Sequence, residues 1–355
     1  MYYKALRKRL KEFESLRGKV SEDKKEELEE SIKTIKSYLM KPYTIPETIE
    51  ECLLSEYQSL IGSQNLWPLC ENLAKHVDDD MPYYPYPDLV LSNNDLLELT
   101  HDFFKNATSK EIYQLFLKLY RQRKNAYFVD GQDELSFYAD SMYLPFDKSY
   151  YLRIEKKNEF ADVATMAHEY GHGIQFLTNY SGTLLTSLYA FHEIISTFFE
   201  LLCTEYYTKD ATLGKKAIAS NYEFWDVTCE NAFLLNKEFQ ILKSIKAYSN
   251  NDTNDIKSFI NFLIKHSNTE ELEEIIGVHP SNDFIYIIGY IFAIELYLIY
   301  KENPDYAFYL LKKIMAIDLR KDSESYFKEI IDLGINPTSS LDSFESHLKR
   351  ELTRL

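Results

Sequence analysis

The run His168-Glu169-Tyr170-Gly171-His172 holds two imidazoles and a carboxylate within five residues. On a helix at about 100° per residue, His172 lies about 40° around from His168 and one turn further along. Two imidazoles so placed can bind one zinc ion, and Glu169 falls on the same side, within about 100° of arc. Two neutral nitrogens would hold the metal while the carboxylate takes a proton from water. A bland reading, two surface histidines beside a solvated glutamate, sits poorly with the flanks. Val163, Met166, Ala167, Tyr170, Ile174 and Leu177 make the rest of the helix core-facing. With 8 His in 355 residues, random order gives about 0.02 occurrences of the pattern. Gly171 and Gly173 each cost a helix about 1 kcal/mol relative to Ala. Such broken local rules concentrate at functional sites.

A catalytic zinc takes three protein ligands and keeps one position for water. Downstream, SLYAFHEIISTFFELLCTEYY (187–207) reads as an apolar helix on which Glu193, Ser196, Thr197 and Glu200 share one face. Buried carboxylates need a partner, and a metal with the outer N–H groups of its ligands provides one. Glu193 is therefore the expected third ligand, with Glu200 or Ser196 in support. His192 competes for the role but projects about 100° away from Glu193.

The stretch 278–300, VHPSNDFIYIIGYIFAIELYLIY, starts at His279-Pro280 with a polar cluster suited to a helix start. About 18 apolar residues is the lower limit for a membrane span. Three tyrosines and Glu295 interrupt the run, so a buried core helix is the expectation. Tyr286, Tyr290, Ala293 and Tyr297 share one face, and spacing alone makes them ordinary core residues.

These segments need a scaffold, and the composition points to helices. Only 10 Gly and 10 Pro imply few turns, and 45% hydrophobic with 27% charged residues reads as globular. A net charge of −16 argues against nucleic acid and against an anionic membrane surface. Cys52, Cys70, Cys203 and Cys229 lack metal or redox spacing. MYYKALRKRL has no apolar signal core, which predicts a cytoplasmic protein. Residues 2–17 and 21–39 read as two charged helices, a solvated hairpin with Ser21 as N-cap, ended by Pro42 and Pro46. Helix resumes over 47–76. The stretch 78–88, DDDMPYYPYPD, reads as a loop and divides an N-terminal helical region, 1–85, from a catalytic domain, 86–355. Asn93 or Asn94 caps a helix to about 105, and Ser109 another to about 124. AYFVD, LSFYADSMYL and SYYLRIE then read as short strands, placed to pair with an extended peptide.

At these residues the chain resembles the zinc peptidase family of thimet oligopeptidase and oligoendopeptidase F. DVATMAHEYGHGIQF resembles that family's zinc helix. FHEIISTFFE resembles its third-ligand segment, a glutamate followed by a serine three residues on and a glutamate seven on, here Glu193, Ser196 and Glu200. HPSNDFIYIIGY resembles its histidine- and tyrosine-bearing stretch, and IIDLGINPTSSLDSFESHLKREL the ending of the oligoendopeptidase F branch. The resemblance is carried by 145–205 and then by 275–350.

It implies one zinc per chain on His168, His172 and Glu193, with Glu169 as general base. It also implies that Tyr290, with His279 and Tyr286, stabilises the oxyanion, Tyr286 from the substrate side. The implied fold is a mainly α, zincin-like multihelical catalytic domain with a small β-sheet beside the active-site helix. The implied activity is zinc metalloendopeptidase action on short unfolded peptides. Three features depart from the pattern. GQDELSFYADSM (131–142) replaces a glycine-rich basic segment, Gln175 replaces a histidine, and the chain is shorter than typical members, which reduces the part that closes the substrate channel. The residues leave two other readings open, a peptide-binding protein that keeps a zinc site without hydrolysis, and a zinc hydrolase of another amide or ester. They do not give the oligomeric state.

Overall fold

The structure, a computed structural model, describes residues 2–39, 48–77, 89–130, 139–179, 189–249, 252–267, 280–318, 323–337 and 340–355. Pro42 and Pro46, the 78–88 stretch, the whole GQDELSF segment and His279 lie outside them. Fourteen α-helices and three strands form among the described residues. A helical hairpin comes first, α1 (Tyr2–Leu16) and α2 (Glu22–Leu39), then α3 (Ile49–Leu60), α4 (Trp67–Leu73), α5 (Asn93–Ala107) and α6 (Lys110–Tyr120). The strands β1 (Ala126–Asp130), β2 (Ala139–Leu144) and β3 (Ser149–Lys156) precede α7 (Ala161–Thr178), α8 (Tyr189–Tyr207), α9 (Gly214–Ser249) and α10 (Thr253–His266). The chain closes with α11 (Pro280–Glu302), α12 (Pro304–Met315), α13 (Ser323–Asp332) and α14 (Leu341–Leu352).

Two helix ends differ from the sequence expectation. The cap of α5 is Ser92, not Asn93 or Asn94. Its hydroxyl accepts from the Asp95 amide at 3.1 Å while the Asp95 carboxylate accepts from the Ser92 amide at 2.8 Å. That reciprocal box satisfies two orphan donors at once, which a lone asparagine cannot do. Ser109 does cap α6, accepting from the Ile112 amide. This helix stops at Tyr120, however, and a 3-10 turn over Arg123–Asn125 leads into β1.

The sheet has the order β1-β3-β2, with β1 parallel to β3 and β2 antiparallel to it. Strand alternation gives it two different faces. Tyr143, Tyr150, Leu152 and Ile154 join the large core with α7 and the other helices. Met142, Leu144 and Tyr151 point the other way into a second, smaller core. Its remaining members are Tyr2, Leu6 and Phe13 of α1 and Leu28, Ile32 and Ile35 of α2. The hairpin is thus not simply solvated. Leu28, Ile32 and Ile35 recur at i, i+4 and i+7, a stripe that the high charge of the segment conceals. Burying such side chains contributes about 1.5–3 kcal/mol each before entropy.

The middle of the large core is a layered trio in which α8 packs against α7 on one side and α11 on the other. Both approaches are close because of glycine. A Cβ on Gly171 of α7 would lie 2.7 Å from Ser196 Cα, and one on Gly289 of α11 would lie 2.3 Å from Glu193 Cβ. The stretch Phe284–Glu302 of α11 is long and apolar enough to cross a membrane. Here Ile287, Ile288, Ile291, Phe292 and Leu296 are buried in the core, as expected of a core helix. All four cysteines are free.

Candidate metal centre

His168, Glu169 and His172 come from α7, Glu193 and Glu200 from α8. The two helices cross where Gly171 lets Ser196 approach, which sets Glu193 over the turn that carries the histidines. His168 Nε2 lies 3.1 Å and His172 Nε2 3.6 Å from Glu193 Oε2. One ligand atom from each of the three residues falls within 4.8 Å of the others. The rings stand nearly perpendicular, at 78° with centroids 4.9 Å apart. All three side chains are largely buried, with Glu193 exposed by only 6%.

A second layer holds these groups. Glu200 Oε2 takes the other ring nitrogen of His168, Nδ1, at 2.9 Å. Ser196 donates to Glu193 Oε2 at 3.2 Å and stays close to the backbone carbonyls of His192 and Glu193. Orientation of a ligating imidazole through its outer nitrogen is the usual role of such a carboxylate. His192, the competing third ligand, turns away, and its Nδ1 meets Gln175 Oε1 at 2.9 Å. Gln175 therefore occupies the buried polar slot next to the second histidine instead of reaching for the cluster.

The electrostatics separate the two histidines. Burial pushes His172 down to about 4, so it is neutral at pH 7. Burial also disfavours a charged His168, but hydrogen bonds to Glu193 and Glu200 outweigh it and hold this ring well above the ordinary histidine range. Burial would raise Glu193, yet the neighbouring histidines win and bring it to about 2. Glu169 is the opposite case. Burial raises it to about 7, against the pull of His168 and a hydrogen bond from Ser141. Among the described residues no lysine or arginine pairs with Glu169, Glu193 or Glu200. The site has three carboxylates, and a proton on His168 is the protein's own counter-charge. Deprotonated ligands and an excess of negative charge suit a divalent cation, whose binding displaces such a proton. The His₂Glu donor set is that of open catalytic zinc sites. The residues fit the metal.

Two residues near Glu169 were not singled out in the sequence. Tyr150 donates its hydroxyl to the Glu169 backbone carbonyl at 2.5 Å, and Ser141, on the same face of the sheet, is among the groups that act on the Glu169 carboxylate. The signal was available, because strand alternation puts both on the face that meets α7.

The tyrosine stripe of α11 is split by its surroundings. Tyr286 is exposed by 46%. Tyr290 is fully buried, its ring packed on Phe224, Trp225 and Phe344. Its hydroxyl has no hydrogen-bond partner among the described residues. Burial raises its pKa well above 10, with the charges of Cys229 and Glu200 adding to the effect. Tyr297 is a core residue of another kind, donating to Glu205 at 2.9 Å and touching His347 Nε2 at 3.0 Å.

No family model and no curated protein matches the sequence. Solved structures do. A Bacillus anthracis str. Ames protein provisionally named oligoendopeptidase F superposes with a TM-score of 0.51 at 14% identity, over 91% of this chain and 62% of that one. A second structure of that provisional name gives 0.51 at 13% identity, over 93% and 64%. A Chlamydophila abortus protein provisionally named a peptidase gives 0.53 at 14% identity, over 90% and 57%. The fold is that of oligoendopeptidase F. The chain spans 57–64% of the length of these three structures. As the resemblance implied, the oligoendopeptidase F fold here is mainly helical, with one small sheet against the helix that carries His168 and His172.

Proposed function

We propose that the protein is a zinc-dependent metallopeptidase that cleaves short unfolded peptides. The observation that carries this reading is the buried cluster of His168, His172 and Glu193 with Glu169 beside it and, among the described residues, no lysine or arginine paired with it. The oligoendopeptidase F and peptidase names of the structural neighbours support it.

His168, His172 and Glu193 would hold the ion. Zinc, when bound, supplies Lewis-acid activation of water and of the scissile carbonyl. Glu169 accepts the proton of the attacking water and passes it to the leaving amine, a task suited to a group that titrates near neutrality. Glu200 keeps the His168 ring oriented through Nδ1. The Tyr290 hydroxyl, without a hydrogen-bond partner among the described residues, donates to the oxyanion that develops on the carbonyl. Tyr286, exposed on the same helix, faces the peptide side, and His279 acts with these two. The peptides are the only partners this reading requires.

Digestion of a mixed peptide library by the zinc-loaded protein, read by mass spectrometry, tests the reading. Cleavage products that disappear in Glu169→Gln are expected. Peptides that are retained intact by a zinc-loaded protein would instead favour the binding protein.

A further inference from the structure

A hydrogen bond ties the hairpin α1–α2 to β2, a strand that packs against the helix of His168 and His172. Tyr38, near the end of α2, donates its hydroxyl to the backbone carbonyl of Ser141 in β2 at 2.8 Å. Ser141 belongs to the edge strand, which has a strand neighbour on one side only among the described residues. Its side chain points the opposite way from the hairpin, into the face that meets α7, the same face from which Tyr150 donates its hydroxyl to the Glu169 carbonyl at 2.5 Å, and it acts on the Glu169 carboxylate. One residue therefore meets the hairpin through its backbone and the face that carries Glu169 through its side chain.

An edge strand is the least restrained part of a sheet, since half of its backbone groups lack ladder partners. Here β2 is held from outside. Met142 and Leu144 are buried against α1 and α2, and the Phe146 amide donates to Ser31 of α2 at 3.1 Å. Tyr38 is the contact made at Ser141 itself. Beside it, Tyr2 of α1 is buried to 2% exposure with a hydroxyl that has no partner among the described residues. Asp140, next to Ser141, acts on both tyrosines. The hairpin thus brings two phenols to the stretch of β2 that packs against α7, although its sequence reads as a solvated appendage.

We propose that Tyr38 is a positioning residue for the hydrolytic site: its bond to the Ser141 carbonyl fixes the edge strand so that the Ser141 hydroxyl keeps Glu169 aligned. The inference rests on the function proposed above and makes the N-terminal hairpin a working part of the catalytic unit. Tyr38→Phe removes one oxygen and keeps the ring. Displacement of a catalytic group by about 1 Å can cost a factor of about 10², and loss of one restraint should cost less, about tenfold in kcat with KM little changed.

The experiment measures kcat and KM for wild type, Tyr38→Phe, Ser141→Ala and the double variant, with zinc content and thermal midpoint in parallel. Since Tyr38 acts through Ser141, the double variant should be no slower than the slower single one. Leu28→Ala serves as a control, because it opens a void in the hairpin core without touching Ser141. It should lower the midpoint more than Tyr38→Phe while leaving kcat within about twofold. The inference is overturned by a Tyr38→Phe kcat within twofold of wild type, by two single effects that multiply, or by an equal kcat loss in Leu28→Ala. A wild type that cleaves nothing sinks the proposed function instead. Amide hydrogen exchange over 139–144 then decides the strand-holding role separately: faster exchange in Tyr38→Phe supports it, and unchanged exchange overturns it.

Discussion

Glu193 and Glu205 lie on the same helix, about 18 Å apart along its axis at about 1.5 Å per residue, and both are buried carboxylates beside a histidine. Each is held at about 2 although burial pushes it up. The means differ. Glu205 has a complete set of partners: Lys301 in an ion pair, His347 Nε2 at 3.4 Å and the Tyr297 hydroxyl at 2.9 Å. That cluster is electrically closed and borders a polar cavity of about 560 Å³ lined by Asp102, Tyr206 and Asp210. At Glu193 the partners are two histidines and a serine, and two more carboxylates stand near. A closed network holds a fold together, whereas an unbalanced one marks a place where something charged is to bind. Burial and low pKa alone do not tell these apart; the identity of the counter-charge does.

Paired substitutions at the two ends of α8 put this to the test. The largest contrast concerns the metal and the base. Elemental analysis should find about one zinc per chain in wild type and almost none in Glu193→Ala, while Glu205→Ala keeps it. Full occupancy in Glu193→Ala would remove that residue as a ligand and reopen the case for His192. Glu169→Gln should keep the zinc and lose about 10²–10⁴-fold in peptidase rate, the usual worth of general-base catalysis. A rate within tenfold of wild type, contaminating protease excluded, would acquit Glu169.

The tyrosines of α11 give the next contrast. Tyr290→Phe should lower kcat by about 10²–10³ with little change in KM, near the cost of one oxyanion-hole donor. Tyr297→Phe, at the closed end, should leave kcat alone and cost about 1 kcal/mol of stability through a lost hydrogen bond. If both variants keep wild-type kcat, Tyr290 is also a packing residue and its orphaned hydroxyl needs another explanation.

A pH experiment isolates the closed end. Glu205 titrates at about 2 in the fold against an ordinary glutamate value of 4.5. Between these values the unfolded chain binds the proton and the folded chain does not, so stability falls as pH falls. The contribution, about 3 kcal/mol at 1.36 kcal/mol per unit, is fully present above pH 4.5 and gone below 2. Denaturant unfolding of Glu205→Gln should show a shallower loss across that window than wild type. Identical slopes would mean that Lys301 and His347 do not set the charge of Glu205. The smallest expected effect is at the surface of the fold, where Ser92→Ala removes half of the α5 capping box and should cost about 1 kcal/mol with no change in zinc or rate.

The grouping of the candidate ligands could be read from the sequence because it depends on short-range spacing. His168, Glu169 and His172 fall on one side of any helix that contains them, and Glu193, Ser196 and Glu200 recur at helical spacing, so geometry follows from periodicity alone. The choice of Glu193 over His192 followed from direction on the same helix. The three strands and the buried character of α11 were likewise set by local composition. Misreadings came where a long-range partner overrides a local signal. The charge of α1 and α2 suggested solvent until the sheet supplied a face for Leu28 and Ile32. The α5 cap moved to Ser92 because a reciprocal pair with Asp95 is better than a lone side chain.

The sequence therefore sets which groups can bind a metal and which helix faces carry them, since those relations lie within a turn or two of one helix. Tertiary structure alone decides that α7 and α8 cross at Gly171 and Ser196, that Glu200 reaches the outer nitrogen of His168, and that Glu205 is neutralised by a lysine 96 residues away. It also decides that a tyrosine from the N-terminal hairpin ends on the strand beside Glu169. Contacts of that separation depend on how whole elements pack, and no local period in the chain encodes the partner.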